Sequence, residues 1–254
     1  SGTNELIQHH PSLALKLSTT LIRAMGGGAP RTHNSWLTLS ECPGHLPSFY
    51  DGLAASVMNY VWRTNDIVYL NDGPRGRYRG QNFPVPMWEK NGSRDAFRFY
   101  IHKATGGSDH VCFVVPAVAV PAVELFTWPD QWYHTDTDTP DKADPTEMKR
   151  VAFIGAATGW VAAALDDAWA ADLADAASAF GYRRVAERDL PRAFAKLDQA
   201  EAGSLSSETA RALNLVRFAA EREMGAIRSI DEISTGSEAA RAATAARLKQ
   251  WKLY

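Results

Sequence analysis

The character of the chain changes near residue 145, and that change limits its fold more than any other feature. Before it lie most of the Pro, Trp, His and Tyr residues, with short apolar runs between turns. After it Ala dominates and apolar residues fall at helical spacing. Short apolar runs between breakers need a sheet with covered faces, whereas 3–4 spacing needs helix against helix. The pattern therefore predicts an α/β part over residues 1–150 and an all-helical C-terminal extension over 151–254.

Within the first part, Pro11 to Met25 reads as a helix that stops at Gly26, with Gly26-Gly27-Gly28 as its end. Leu53 to Trp62 reads as a second helix and Asp66 to Leu70 as a short strand. Asn71 to Asn91, rich in Gly, Pro, Arg and aromatics, reads as a long loop of the kind that is usually functional or disordered. Phe97 to His102 suggests a strand or a short helix. Val111 to Val115 and Ala122 to Thr127 read as buried strands bounded by proline. Pro145 suits the first turn of a long helix, with Glu147 favouring its start and Gly181 its stop. Further helices are expected over Leu190 to Ala202, Ser206 to Arg228 and Ser237 to Lys252. In the Ser206 helix, Leu213, Val216, Ala220, Met224 and Ile227 form an amphipathic face, for packing within the chain first and for a homo-oligomer second.

A formal net charge of −2 gives no bulk field for nucleic acid or anionic lipid. Arg75, Arg77 and Arg79 alternate with Gly and Tyr78, but without further basic clusters they read as a solvated turn. No run approaches the roughly 20 apolar residues of a membrane span; Val111 to Phe126 is broken by Pro116, Pro121 and Glu124. No basic segment leads into an apolar core at the N-terminus, so no signal peptide is expected there, although Ser1-Gly2-Thr3 is not a natural start. Cys42 and Cys112 read as two buried thiols rather than a disulfide, which leaves the redox compartment open.

Chemistry-bearing residues gather in two motifs flanking the proline-bounded runs. The first is Gly106-Gly107-Ser108-Asp109-His110. The second runs from Trp132-Tyr133-His134-Thr135-Asp136 through Asp138 and Asp141 to Asp144. Imidazole can ligate a metal, and carboxylates or hydroxyls can orient it. Read as residues alone, each His is equally a hydrogen-bonded structural group, and the Thr/Asp-rich turn is equally a helix entry.

The order Gly-Ser-Asp-His, apolar strand through Pro-Ala, Tyr-His-Thr-x-x-Asp-Thr-x-Asp-Lys-x-Asp resembles the end of the catalytic domain in the di-zinc aminopeptidase family. Bacterial leucyl aminopeptidases belong to that family, and glutamate carboxypeptidase and glutaminyl cyclase are relatives. The resemblance covers Gly106 to Asp144 and loosely the chain before it. It implies part of a mixed-sheet α/β/α zinc-peptidase domain, two zinc ions in the intact enzyme, and a peptide or aminoacyl substrate. His134 matches a zinc ligand, and Tyr133 matches a donor to the tetrahedral oxyanion. Asp138 and Asp141 match loop or ligand-orienting positions or serve the helix entry alone, while Ser108, Asp109 and His110 fall beside the substrate pocket, as braces of the loop before wall residues. A secreted or periplasmic place is what the family favours; nucleic acid and membrane partners are not expected.

The departures matter equally. The family also needs an earlier His, a bridging Asp, an adjacent Glu-Glu pair whose first member is the general base, and another Asp. No Glu-Glu dipeptide occurs in this sequence, and no H-x-D segment precedes Ser108. The expectation is a fragment carrying half of an active site and inactive alone. The alternatives are a metal-free scaffold or partner-binding homologue and a glutaminyl-cyclase-like acyltransferase.

Overall fold

The computed structural model describes residues 2–10, 12, 17, 19–71 and 87–252. Two compact units divide the chain: residues 1–43 with 54–164, and residues 44–53 with 165–254. The division falls at the end of a helix, after Ala164, rather than at residue 150 inside it.

The first unit is built on a four-stranded mixed sheet, as an α/β domain requires. Its strands are β1 (Thr20–Arg23), β2 (Leu37–Ser40), β3 (Phe99–His102) and β4 (Ala122–Thr127), in spatial order β1-β4-β2-β3. β1 runs parallel to β4 and β2 parallel to β3, while β2 and β4 are antiparallel. Alternation then separates two faces. Leu37, Leu39, Val123 and Leu125 share the apolar face and are buried; Thr38, Ser40, Glu124 and Phe126 share the other with Tyr100 and His102. Thr38 sits opposite Phe126, and Ser40 opposite Glu124.

β4 has the bounds that the proline-flanked run predicts. The neighbouring run differs: Val111–Val114 is one helical turn, not a strand, and Cys112, Phe113 and Val114 amides donate to the Asp109 and His110 carbonyls. An apolar run of four residues carries no period that separates strand from helix. Phe113 nevertheless reaches a small core with Val120 and Ala122. Asp66 to Leu70 is likewise not a strand but the end of the helix Phe49–Asn71, which also contains the expected Leu53 to Trp62. Extending an existing helix needs no new nucleus, so β-branched residues join it at a few tenths of a kcal/mol each.

The expected helix over Pro11 to Met25 does not reach Met25, because β1 spans Thr20–Arg23; positions 11, 13–16 and 18 of that expectation lie outside the described residues, and a helix spans Gly2–His9 before it. Positions 72–86 of the expected loop Asn71 to Asn91, with Arg75, Arg77 and Arg79, also lie outside the described residues, while Asn71 ends the helix Phe49–Asn71. The triple glycine ends no helix. It follows β1, where a Cβ on Gly28 would lie 2.8 Å from the His33 ring and one on Gly27 2.7 Å from Met148 Cγ.

The helix Pro145–Ala163 starts as predicted, with Asp144 accepting from the Thr146 amide at 2.8 Å. The start of this helix, from its cap through its second turn, also binds the segment before β3. Thr146 Oγ1 donates to the Ser93 carbonyl, Asp144 accepts from the Ser93 amide, and buried Arg150 donates to the Asp95 carbonyl and to Glu147. Burial pushes the Glu147 carboxyl up, against the pull of Arg150.

The helical pattern read as continuous to Phe180 is two helices, Pro145–Ala163 and Ala170–Arg184, split where Asp166 caps the Ala168 amide. In the second unit a five-residue π turn, Val185–Asp189, leads into the helix Leu190–Asp198, followed by Leu205–Arg228 and Glu238–Gln250. Gly181 stops nothing: it sits within a helix where a Cβ would lie 2.7 Å from the Glu223 carboxylate. The two cysteines are free thiols, Cys42 buried and Cys112 half-buried. No single helix among the described residues is long and apolar enough to cross a membrane.

Candidate active site

Both sequence motifs lie in the sheet-bearing unit, and parts of both meet at one cleft. A cavity of about 460 Å³ opens over the polar sheet face, lined by Thr38, Tyr100, His102, Glu124 and Phe126 from the strands. Gly106 and Gly107 of the first motif, and Trp128 and Tyr133 at the second, complete its wall with Met25 and Thr105. This is the size range of small-ligand pockets.

Tyr133 stands at the rim in edge contact with Trp128, ring centroids 5.5 Å apart. The loop that carries it is anchored from beneath. Asp130 accepts from the Trp132 amide at 2.9 Å, and His33 Nε2 lies 3.4 Å from Asp130 Oδ1. His33 Nδ1 donates to the Ala29 carbonyl, and its ring meets Trp132 edge-on at 4.8 Å. Neither His33 nor Asp130 stood out in the sequence, because their pairing exists only once β4 and the helix Pro30–His33 are in place. A second cleft, about 490 Å³, is lined by both of them with Arg23, Asp138 and Lys142.

His134 adopts the left-handed backbone region (φ 58°), unusual for a residue with a Cβ. Its ring is exposed and stacked on Tyr133 at 3.8 Å, and it lines neither cleft among the described residues. The Thr135 hydroxyl donates to the Trp132 carbonyl at 2.6 Å, closing the turn around it. Asp141 takes hydrogen bonds from Lys142 and Thr139, and these hold its carboxyl down to about 2. It contacts its own turn rather than His134.

The Ser-Asp-His motif forms a brace. Asp109 accepts from the Thr3 hydroxyl at 2.6 Å. His110 is buried, and its Nε2–H donates to the Thr105 carbonyl at 2.6 Å. Its Nδ1 lies 3.4 Å from Glu124 Oε2, which Ser108 also hydrogen-bonds. Thr105 is tied in turn to Ser40, its amide donating to the hydroxyl at 3.2 Å. Burial pushes the Glu124 carboxyl up, opposed by His110 and Ser108. Glu124 was visible in the sequence only as an acid interrupting an apolar strand, which is itself a signal, since such a group persists in a core only when partnered.

A zinc centre needs three or four converging ligands. Among the described residues no three His, Cys, Asp or Glu side chains are grouped to hold a metal ion. His134 offers one exposed imidazole, so these residues do not by themselves fit a zinc site.

Comparison with known proteins points the same way as the motifs. The model of Peptidase family M28 matches residues 88–158, a segment that contains both of them. The match supports a zinc-peptidase relationship and a zinc-dependent, peptidase-like hydrolase function in general. No curated protein and no solved structure matches the chain.

Proposed function

We propose that this chain carries the C-terminal part of an aminopeptidase-like catalytic domain that cleaves peptide or aminoacyl amide bonds. The observation that supports it best is the meeting of Tyr133 with the Gly106-Gly107 backbone at one cleft, inside the M28-matched segment. In this reading the scissile carbonyl lies at the cleft mouth and the Tyr133 hydroxyl donates to the oxygen as it gains charge. The aromatic wall of Trp128 and Phe126 receives the substrate side chain, and the Ser108 to His110 brace fixes the glycine loop against it. Asp138 and Asp141 set the turn that presents His134.

His134 is the residue of this chain assigned to zinc, with the remaining ligands for two ions supplied from outside the sequence. One imidazole binds zinc too weakly to retain it, so the chain alone is inactive.

Elemental analysis of the purified 254-residue chain, beside a His134→Ala control, tests the assignment. The expected result is little zinc in either, with near-stoichiometric zinc and hydrolysis of aminoacyl p-nitroanilides once a segment bearing the missing ligands is joined. Near-stoichiometric zinc in the chain alone, lost in the control, overturns the fragment reading. If the extended protein binds no zinc, the chain is a metal-free scaffold.

A further inference from the structure

The cleft that Tyr133 borders has a lone acid in its wall. Among the described residues lining it there is no Lys or Arg, and Glu124 is the only carboxylate, amid Tyr100, Phe126, Trp128 and Tyr133. An apolar pocket for a neutral side chain gains nothing from such a group, whose burial is costly unless it is compensated.

Glu124 is 4% exposed and held at the centre of the sheet, opposite Ser40 on β2 and Ile22 on β1. His110 stands behind it and is not part of the cleft wall. With Nε2 committed to Thr105, the imidazole turns only Nδ1 towards Glu124, at 3.4 Å and without a completed hydrogen bond. Ser108 also hydrogen-bonds the carboxylate, so Glu124 is fixed in place where it lines the cavity. In the same wall, Tyr100 and Trp128 are about half exposed (56% and 50%) and present ring surface to a ligand. Ring faces attract cations, and a carboxylate in a low-dielectric wall attracts them more strongly than it would in water.

We propose that Glu124 makes this cleft a receptor for a basic side chain, a lysine- or arginine-type cation on an aliphatic stem, whose stem lies along the aromatic wall. The assignment deepens the peptidase reading above and rests on it for which part of the substrate enters: the side chain next to the carbonyl that faces Tyr133.

The test separates the two readings because it needs no catalysis. L-lysinamide and L-norleucinamide share the α-ammonium and differ at the side-chain end. Each is titrated into the 254-residue chain while the amide NMR signals of Gly106, Gly107 and Glu124 are followed. The expected result is a shift of these signals and a Kd at least about tenfold lower for L-lysinamide, a ratio that Glu124→Gln erases. Equal affinities in the unaltered chain, a preference that survives Glu124→Gln, or no shift of these amides with either probe overturns the proposal. The first comparison stands even if the variant fails to fold. Absence of aminoacyl p-nitroanilide hydrolysis by the zinc-bearing extended protein would instead remove the peptidase reading and leave the cation preference as measured.

Discussion

Arg184 grips Glu223 with two hydrogen bonds, Nε to Oε1 at 3.0 Å and Nη2 to Oε2 at 2.7 Å, and all of these groups are buried. A third donor, Nη1, reaches Asp51 at 3.1 Å. Arg222 donates to the same Glu223 and, at 2.6 Å, to Asp189 in the π turn. Glu223 thus answers two guanidiniums at once. Removing one partner of a buried ion pair leaves charge without compensation, so Glu223→Ala is expected to cost about 3–5 kcal/mol. Urea unfolding followed by far-UV circular dichroism measures it; a loss below about 1 kcal/mol, the value of a surface pair, would show that the network carries no such weight.

Two glycines in helices should respond oppositely to alanine. At Gly52 a Cβ would come within 2.8 Å of the Ala177 Cα and 2.9 Å of the Ala176 carbonyl carbon. Those atoms are backbone and have no side-chain freedom to yield, so Gly52→Ala should destabilise by about 1–3 kcal/mol. At Gly159 nothing lies within 4 Å, and Gly159→Ala should stabilise by roughly 0.5–1 kcal/mol through lower unfolded-state entropy. Thermal melts of the two variants give the comparison, and a shift of the same sign in both would refute it.

These contacts also mark where the sequence stops being informative. β4 is legible because Pro121 and Pro129 bracket an apolar run, and the helix at Pro145 because Asp144 and Pro145 form a local start signal. Such features depend on neighbours in the chain. The strand-like Asp-Ile-Val-Tyr-Leu segment is carried into a helix by the turns before it. The Val111–Val114 turn depends on carbonyls of the motif that precedes it. Motif order names Tyr133 and the glycine loop, which border one cleft, whereas the pairings of His33 with Asp130 and of His110 with Glu124 are products of sheet assembly. Local pattern cannot show which distant carboxylate a buried imidazole will meet.

Asp141 offers a pH test on the second motif. Lys142 and Thr139 hold its carboxyl to about 2, below the unfolded value of about 3.9. A depressed carboxyl adds stability that is fully present above about pH 3.9 and is lost as pH falls towards 2. Carbon-detected NMR of the Asp141 carboxyl should give a midpoint near 2 in the folded chain, and Lys142→Ala should raise it. A midpoint in the ordinary range for the unaltered chain would mean that the Lys142 contact does not persist in solution.

Tyr133→Phe bears most directly on the proposed chemistry. The substitution keeps the ring that meets Trp128 at 5.5 Å and stacks on His134 at 3.8 Å, so the loop should keep its shape. What it removes is the hydroxyl. If that hydroxyl donates to charge that develops only in the transition state, its loss lowers kcat and leaves ground-state binding alone. In the extended, zinc-bearing protein, kcat on an aminoacyl p-nitroanilide should fall by about 10²–10³-fold, the usual effect of one oxyanion donor. KM should stay within about twofold. The opposite split, a raised KM with kcat intact, would make Tyr133 a wall of the cleft and move the oxyanion donor elsewhere.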